Sequence, residues 1–563
     1  KLAKSAKPQP LEFLPPRLRG QNTDAAAARR EPADISKVTT TFRVRRNAAF
    51  VARCVHVVLV PGLSALIASC AVGPAYQRPP SPKVASYTAT PVAATIAPAG
   101  SVAGPVAGAQ TLEYGAAVRP RWWKNFGSSA LDQLVDQALA HNTGLAAAQA
   151  TLEQAQFNLK AAKGAFYPQV SLGLGGERTR TTGAAAGGSF GPQLYNLYTG
   201  QVSVSYYPDV FGLNRLVARG EQAQVDVARD QLLAARLTIA GNVVNTALDL
   251  AALEDELAAT RQTVGDQRQI LGLTRTRYRL GATSQFDVLT QESQVASSEA
   301  RLPQLQQARD EARHLLATYL GKSPAEADGL TVPALAELRL PSALPVSLPS
   351  TLVRERPDIM AAEAQLRAAN AQVGEAVASM YPNLQLTGSY GDQSNRASTF
   401  FDPASRLWEL AASLVMPLFE GGTLEAQKQA TQAAYRAVFA NYQSTVLGAF
   451  RNVADVLRAL QHDSTFLDAQ ARALQASRQA LQLVQAQYRT GEVDFLSLLA
   501  SQTQYQNARI AFVQAEAQRY ADTAALYVAL GGGEWMTSSG PARGTETGMH
   551  QTDGPGAEPD VHK

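Results

Sequence analysis

Leu250, Leu257, Val264, Leu271 and Tyr278 recur at every seventh position, as do Leu460, Leu467, Leu474, Leu481 and Tyr488, and the two series are offset by 210 residues throughout. A seven-residue apolar spacing marks a helix that packs along a narrow seam. Two such helices at one fixed offset imply a single unit present twice in tandem. Each series closes on Tyr-Arg-x-Gly, as Tyr278, Arg279, Leu280, Gly281 and as Tyr488, Arg489, Thr490, Gly491. A second helical stretch follows in each copy and ends at Leu320-Gly321 or Leu530-Gly531, again 210 apart. The pattern predicts a repeated helical hairpin, not a pair of catalytic domains. No proline interrupts Leu213 to Leu280 or Thr423 to Thr490, so each stretch can run about 100 Å as one helix. Their apolar stripe is narrow and the other faces carry Gln, Ala, Arg, Asp and Thr, which suits packing side by side around water.

Ahead of each long helix the sequence predicts a shorter one, Leu131 to Ala165 and Pro357 to Met380, closed by Tyr167-Pro168 and Tyr381-Pro382, where proline denies the helix a backbone donor. Alternation at period two follows. Val170, Leu172 and Leu174 alternate with Ser171, Gly173 and Gly175, and Val202, Val204 and Tyr206 with Ser203 and Ser205. In the second half Leu384, Leu386 and Tyr390 alternate with Gln385, Thr387 and Ser389, and Trp408, Leu410, Leu414 and Met416 with Glu409, Ala411 and Ser413. Strands of about ten residues, apolar on one face and polar on the other, have the length and pattern of a transmembrane barrel strand. Four strands cannot close a barrel, and an open edge in lipid leaves backbone groups unpaired. Other copies of the chain must supply the rest: three copies give twelve strands with room for a lumen, two give eight, whose side chains fill the interior. The expected fold is mainly α with a transmembrane β-barrel contribution, and the long coiled-coil helices form a hollow tube continuous with the barrel.

The ends of the chain read differently from its body. Arg43, Arg45, Arg46 and Arg53 precede an apolar run from Val55 to Ile67 that is too short to span a bilayer, and the run ends in Ile67-Ala68-Ser69-Cys70. This has the form of a bacterial lipobox, in which the Cys70 thiol takes a diacylglycerol before cleavage. Cys54 would leave with the signal, so Cys70 has no disulfide partner. Ala71 and Val72 offer no acidic retention signal, which favours the outer membrane. The first methionine is Met360, so residues 1–43 are expected to be a non-native or untranslated extension, with a non-ATG start at Val44 or Val51, and residues 44–69 the lipoprotein signal peptide. Residues 70–120, rich in Pro, Ala, Thr and Val, read as an extended segment after the anchor, 121–340 and 341–530 as the two repeats, and 531–563 as a disordered tail.

Residues 1–69 carry 12 Lys and Arg against 4 Asp and Glu, a net +8, so the whole-chain charge of +4 becomes −4 after processing. The basic character is confined to the leader and gives no argument for nucleic acid. The six histidines lie far apart, no metal-ligand spacing, phosphate loop or nucleophile motif is present, and no cofactor is expected.

Several segments resemble the TolC-like outer-membrane factors, specifically the lipidated NodT/OprM-type branch: Cys70-Ala71-Val72-Gly73-Pro74, Trp122-Trp123 through Phe126, Tyr206-Tyr207-Pro208-Asp209-Val210-Phe211-Gly212, Arg356-Pro357-Asp358-Ile359, Tyr381-Pro382 and Pro417-Leu418-Phe419-Glu420-Gly421-Gly422. The resemblance runs from Cys70 to Leu530. It implies a homotrimer with a twelve-stranded outer-membrane barrel and a periplasmic α-barrel, the passive exit duct of a tripartite efflux pump. A periplasmic adaptor and an inner-membrane transporter of the resistance-nodulation-division type would be its partners. It also implies that the tips Tyr278, Arg279, Leu280, Gly281 and Tyr488, Arg489, Thr490, Gly491 meet the adaptor, and that Asp287 and the Tyr488 hydroxyl tie neighbouring hairpins shut. Leu496 and Leu499 fall in the hydrophobic part of the periplasmic gate, whereas Ala500 stands where the family often places a constriction aspartate. The same fold serving type I protein secretion is the nearer alternative. A periplasmic coiled-coil scaffold lipoprotein is the alternative of another class.

Overall fold

The computed structural model describes residues 72–96, 108–181 and 193–533. Cys70 and the leader lie outside the described residues, as does the tail from residue 534 onward. Two helices dominate, α3 (Leu213–Arg279, 67 residues) and α7 (Thr423–Thr490, 68 residues), and each turns back as a helix of 35 residues, α4 (Gln285–Tyr319) and α8 (Phe495–Ala529). The proline-free stretches thus form single unbroken helices. Gly212 and Gly422 open the long helices with φ of 85° and 86°, a left-handed conformation that glycine adopts without steric cost. Ser284 and Asp287 form a reciprocal capping box on α4, and the Asp494 side chain accepts from Ser497 N at the start of α8.

Of the shorter helices, the second runs as expected from Pro357, preceded by a further short helix, whereas the first is broken near its start. In the first half α1 (Ser129–His141) and α2 (Thr143–Lys163) meet at Asn142, whose side-chain oxygen accepts from Leu145 N and whose amide donates to Tyr319 O at 2.9 Å. A helix interior would leave that side chain without these bonds, so the cap outcompetes continuation. In the second half α5 (Pro349–Glu355) and α6 (Pro357–Ala378) meet at Arg356, the residue before a proline and therefore biased away from helical backbone.

The segment read as a plain extended tether is also built into the core. β1 (Thr111–Tyr114) pairs in parallel with β4 (Ala343–Val346), and Ala94 bridges Thr111. Val92, Leu112 and Val118 are buried in one cluster with Trp122, Trp123 and Phe126, with Val243, Val244 and Leu248 of α3, Val453 and Leu457 of α7, and Tyr520 and Leu526 of α8. Four-residue strands give too short a run for alternation to declare itself, so they left no signal in the sequence. At the other end Gly531, Gly532 and Gly533 continue the fold: Gly532 N donates to Tyr527 O, and a Cβ on Gly533 would stand 2.1 Å from Val118 O.

The second sheet is antiparallel, with β2 (Gln169–Thr181), β3 (Gln193–Tyr206), β5 (Asn383–Ser394) and β6 (Arg406–Val415) in the order β2-β3-β5-β6. Its two inner strands come from different halves of the repeat, so the hairpin of each half is joined edge to edge with the other. Met416, expected on the last strand, falls just beyond it.

Candidate functional site

The register of the four strands sorts their side chains into two faces. One row across the sheet reads Leu172, Val202, Tyr390, Trp408, and the next in-phase row reads Val170, Val204, Gly388, Leu410. The opposite face reads Ser171, Ser203, Ser389, Glu409. Within the chain the apolar rows are uncovered: Leu172, Leu174, Trp408 and Leu410 are all about 70–80% exposed. A soluble sheet buries such a face against a second layer, whereas a lipid-facing sheet leaves it outward. Among the described residues both outer strands, β2 and β6, have one open edge. No described helix is long and apolar enough to cross a membrane.

Where the sheet meets the long helices, the rings of Phe211 and Tyr381 pack tilted by 31° with centroids 5.4 Å apart, and Tyr167, Leu418 and Phe419 are exposed. The first described residues are fastened at this junction. Val72 N donates to Phe211 O at 3.3 Å, and Gly73 lies so close to α6 that a Cβ would come within 3.0 Å of Gly374 Cα.

At the far end of the hairpins the tip residues have unequal surroundings. Tyr278, Arg279, Leu280 and Gly281 are exposed, as are Arg489, Thr490 and Gly491, but Tyr488 is only 4% exposed and packs with Phe495 and Leu498. Gly281 and Gly491 make the reversals with φ of 75° and 86°. The expected pair of Asp287 and Tyr488 is not joined within one chain. Asp287 Oδ2 accepts from Thr283 Oγ1 at 2.5 Å and from Ser284 N at 3.1 Å, which leaves Oδ1 as an acceptor, and the Tyr488 hydroxyl is buried with no partner among the described residues. The Thr283 hydroxyl holds the Asp287 carboxyl below its usual range, and the bond with Ser497 does the same for Asp494, which favours the ionised form of each. Leu496 and Ala500, one helical turn apart, lie on the exposed face of α8, and Leu499 is half-buried beside the Tyr488 cluster.

Two residues that sequence reasoning missed tie separate segments together. Arg519, 1% exposed, donates to Gly108 O at 2.8 Å, Thr95 Oγ1 at 3.1 Å and Ile96 O at 3.3 Å, and so docks the N-terminal segment on α8. A signal existed: Phe512, Arg519 and Leu526 are spaced by seven, which places an arginine in an otherwise apolar seam. The other residue is Arg277, which spans from the first hairpin to the second. Carboxyls cluster near Arg519. Burial, then the neighbouring Asp255, pushes Glu516 up to about 7, and burial followed by a hydrogen bond with Asp463 raises Asp522. Among the described residues no group of histidine, cysteine and carboxylates could hold a metal ion.

A two-faced, open-edged sheet standing on long paired helices defines a protomer of the mixed barrel and helical-tube class. The family model described as outer membrane efflux protein matches this chain twice, over residues 134–322 and 348–532, and the chain belongs to that family. It is 32% identical over 466 residues to the pyoverdine export outer membrane protein OpmQ of Pseudomonas putida, across 81% of this chain and 96% of the relative. To the outer membrane protein OprJ of Pseudomonas aeruginosa it is 30% identical over 482 residues, 84% of this chain and 96% of that protein. Its fold matches the solved outer-membrane channel OprN with a TM-score of 0.72 at 27% identity, covering 82% of this chain and 99% of the channel. The family, the TolC-like fold and the outer-membrane location expected from the sequence are thereby established.

Proposed function

We propose that three copies of this chain assemble into the outer-membrane exit duct of a tripartite efflux pump, through which small molecules pass passively to the exterior. The observation that carries this reading is the sheet, with an apolar face of Leu172, Val202, Tyr390 and Trp408, a polar face of Ser171, Ser203, Ser389 and Glu409, and two unpaired edges. In hydrocarbon each unsatisfied backbone group costs several kcal/mol, so β2 of one copy must pair with β6 of the next. Three sectors of four strands close at twelve. The long hairpins then stand together as the periplasmic tube.

Energy for transport would come from an inner-membrane transporter of the resistance-nodulation-division type, joined to the duct by a periplasmic adaptor. The exposed tips Tyr278, Arg279, Leu280 and Gly281, with Arg489, Thr490 and Gly491, offer that adaptor a mixed apolar and cationic surface. In the resting tube Leu496 and Leu499 narrow the periplasmic end by steric and dewetting effects. The Tyr488 hydroxyl finds its partner in the assembled tube, at Asp287 Oδ1. Cys70 stands two residues before Val72, which is bonded to the sheet-to-helix junction. A diacylglycerol on that thiol would enter the inner leaflet at the barrel rim.

The test is reconstitution of the full chain in planar lipid bilayers. The duct reading predicts ion-conducting steps, and a protein that binds lipid without conducting contradicts it.

A further inference from the structure

Tyr278 and Tyr488 occupy the same position in the two copies of the repeat, yet Tyr278 is 45% exposed and Tyr488 only 4%. The residue before each tyrosine differs: Arg277 in the first copy, Gln487 in the second. From the end of α3, Arg277 reaches across to the other hairpin. Its Cζ lies 4.5 Å from the centroid of the Tyr488 ring, and its Nη2 donates to Tyr488 O at 2.9 Å and to Arg489 O at 3.1 Å.

Those two carbonyls belong to the last turn of α7, which ends at Thr490. Among the described residues Tyr488 O has only the long bond from Gly491 N at 3.3 Å besides the arginine. Both carbonyls lie at the negative end of the helix dipole, so a guanidinium supplied from another helix is a well-matched cap. The planar cation also lies over the ring face, where the aromatic quadrupole attracts it. Seven residues earlier on the same face of α3, Ile270 packs against the cluster of Tyr488, Phe495 and Leu498. Further back along α3, Gln262 accepts from Arg509 of α8 at 2.8 Å. The arginine therefore closes a line of contacts between α3 and the second hairpin, at the tip end of both.

We infer that Arg277 is the clamp that holds the second hairpin tip against the first within each protomer and so sets the resting aperture of the tube. This assignment rests on the duct reading. The clamp is directional, because the uncharged Gln487 offers no equivalent grip on the first hairpin. It is also separate from any bond of the Tyr488 hydroxyl, since it uses the ring face and the backbone carbonyls. Release of Arg277 frees the second hairpin to swing away from the first.

The experiment compares the full-length wild type with Arg277→Ala, Arg277→Lys, Tyr488→Leu and the Arg277→Ala/Tyr488→Leu double variant in planar bilayers, without adaptor. Arg277→Ala is expected to raise resting conductance several-fold. Arg277→Lys should restore part of the closure, since an ammonium still meets the carbonyls but loses the planar stack and the second fixed bond. Tyr488→Leu removes the ring, and the double variant should conduct no more than Arg277→Ala. The heat-modifiable band of each variant on gels should match that of wild type, because the clamp lies at the tips, away from the sheet and the main core. Wild-type conductance in Arg277→Ala, with wild type itself conducting, overturns the clamp and leaves the duct standing. Absence of conductance in every preparation overturns the duct, and the clamp with it.

Discussion

The indole of Trp122 lies flat on the ring of Tyr527, with centroids 5.3 Å apart and planes within 15° of parallel. Both residues are about 1% exposed, and the Tyr527 hydroxyl accepts from Asn125 Nδ2 at 3.0 Å. This stack joins the short 3-10 turn Trp122–Phe126 to the last turns of α8, and so ties the beginning of the first repeat to the end of the second.

Replacing Trp122 by Ala leaves a cavity at that junction and should cost about 3–5 kcal/mol, the usual range for a fully buried large aromatic. The expected readout is a clear fall in the temperature at which the purified protein loses helical circular dichroism. A melting curve identical to wild type would show that the stack contributes nothing.

Much of this fold was legible because its largest elements are repetitive. The heptads from Leu250 and Leu460 and the absence of proline marked α3 and α7 along their whole length, although α4 shows that a helix here can also run on through a proline, Pro303. The alternation of Val170, Leu172 and Leu174 marked β2 because one face had to differ from the other. Breaks decided by a single side chain were not legible. Asn142 caps α2 with its oxygen and binds Tyr319 O with its nitrogen, and that second bond exists only once α4 has packed beside it. The tips show the same limit, because Tyr278 and Tyr488 share a motif and only the neighbouring hairpin distinguishes them. The heptad also overstated burial at two positions, as Tyr278 is exposed and Leu481 is only half-buried.

Tyr488→Phe isolates the hydroxyl from the ring. The ring face and the carbonyls that Arg277 uses are kept, and the buried hydroxyl is lost. If that hydroxyl bonds to Asp287 in the assembled tube, leak conductance should rise measurably in planar bilayers. Closure identical to wild type would count against the hydroxyl bond.

Ala500 sits one turn beyond Leu496 on the exposed face of α8. If the proposed trimer brings Leu496 and Ala500 together at its constriction, that ring has no charge to hold a trivalent cation, and block from the periplasmic side should be weak in wild type. In the proposed trimer Ala500→Asp would place three carboxylates at one level and should create strong, voltage-dependent block. Strong block of the wild-type channel would contradict this account of the constriction.

Glu516 makes stability depend on pH. Folded, its carboxyl is pushed from 4.5 to about 7 by burial and by Asp255. Between those values the folded chain holds a proton that the unfolded chain has released, so stability falls as pH rises through that window and then levels off. Glu516→Gln keeps the neutral shape and removes the titration. The variant should match wild type near pH 4 and melt at a higher temperature near pH 8. Equal melting temperatures near pH 8 would show that the buried carboxylate carries no penalty.

The most direct test is the absolute mass of the detergent-solubilised protein, measured by light scattering with the detergent contribution subtracted. The unpaired edges of β2 and β6 predict a species of three protomers that persists on dilution. A stable, monodisperse monomer with the same helical content would contradict the central claim that one chain is an incomplete sector of a pore.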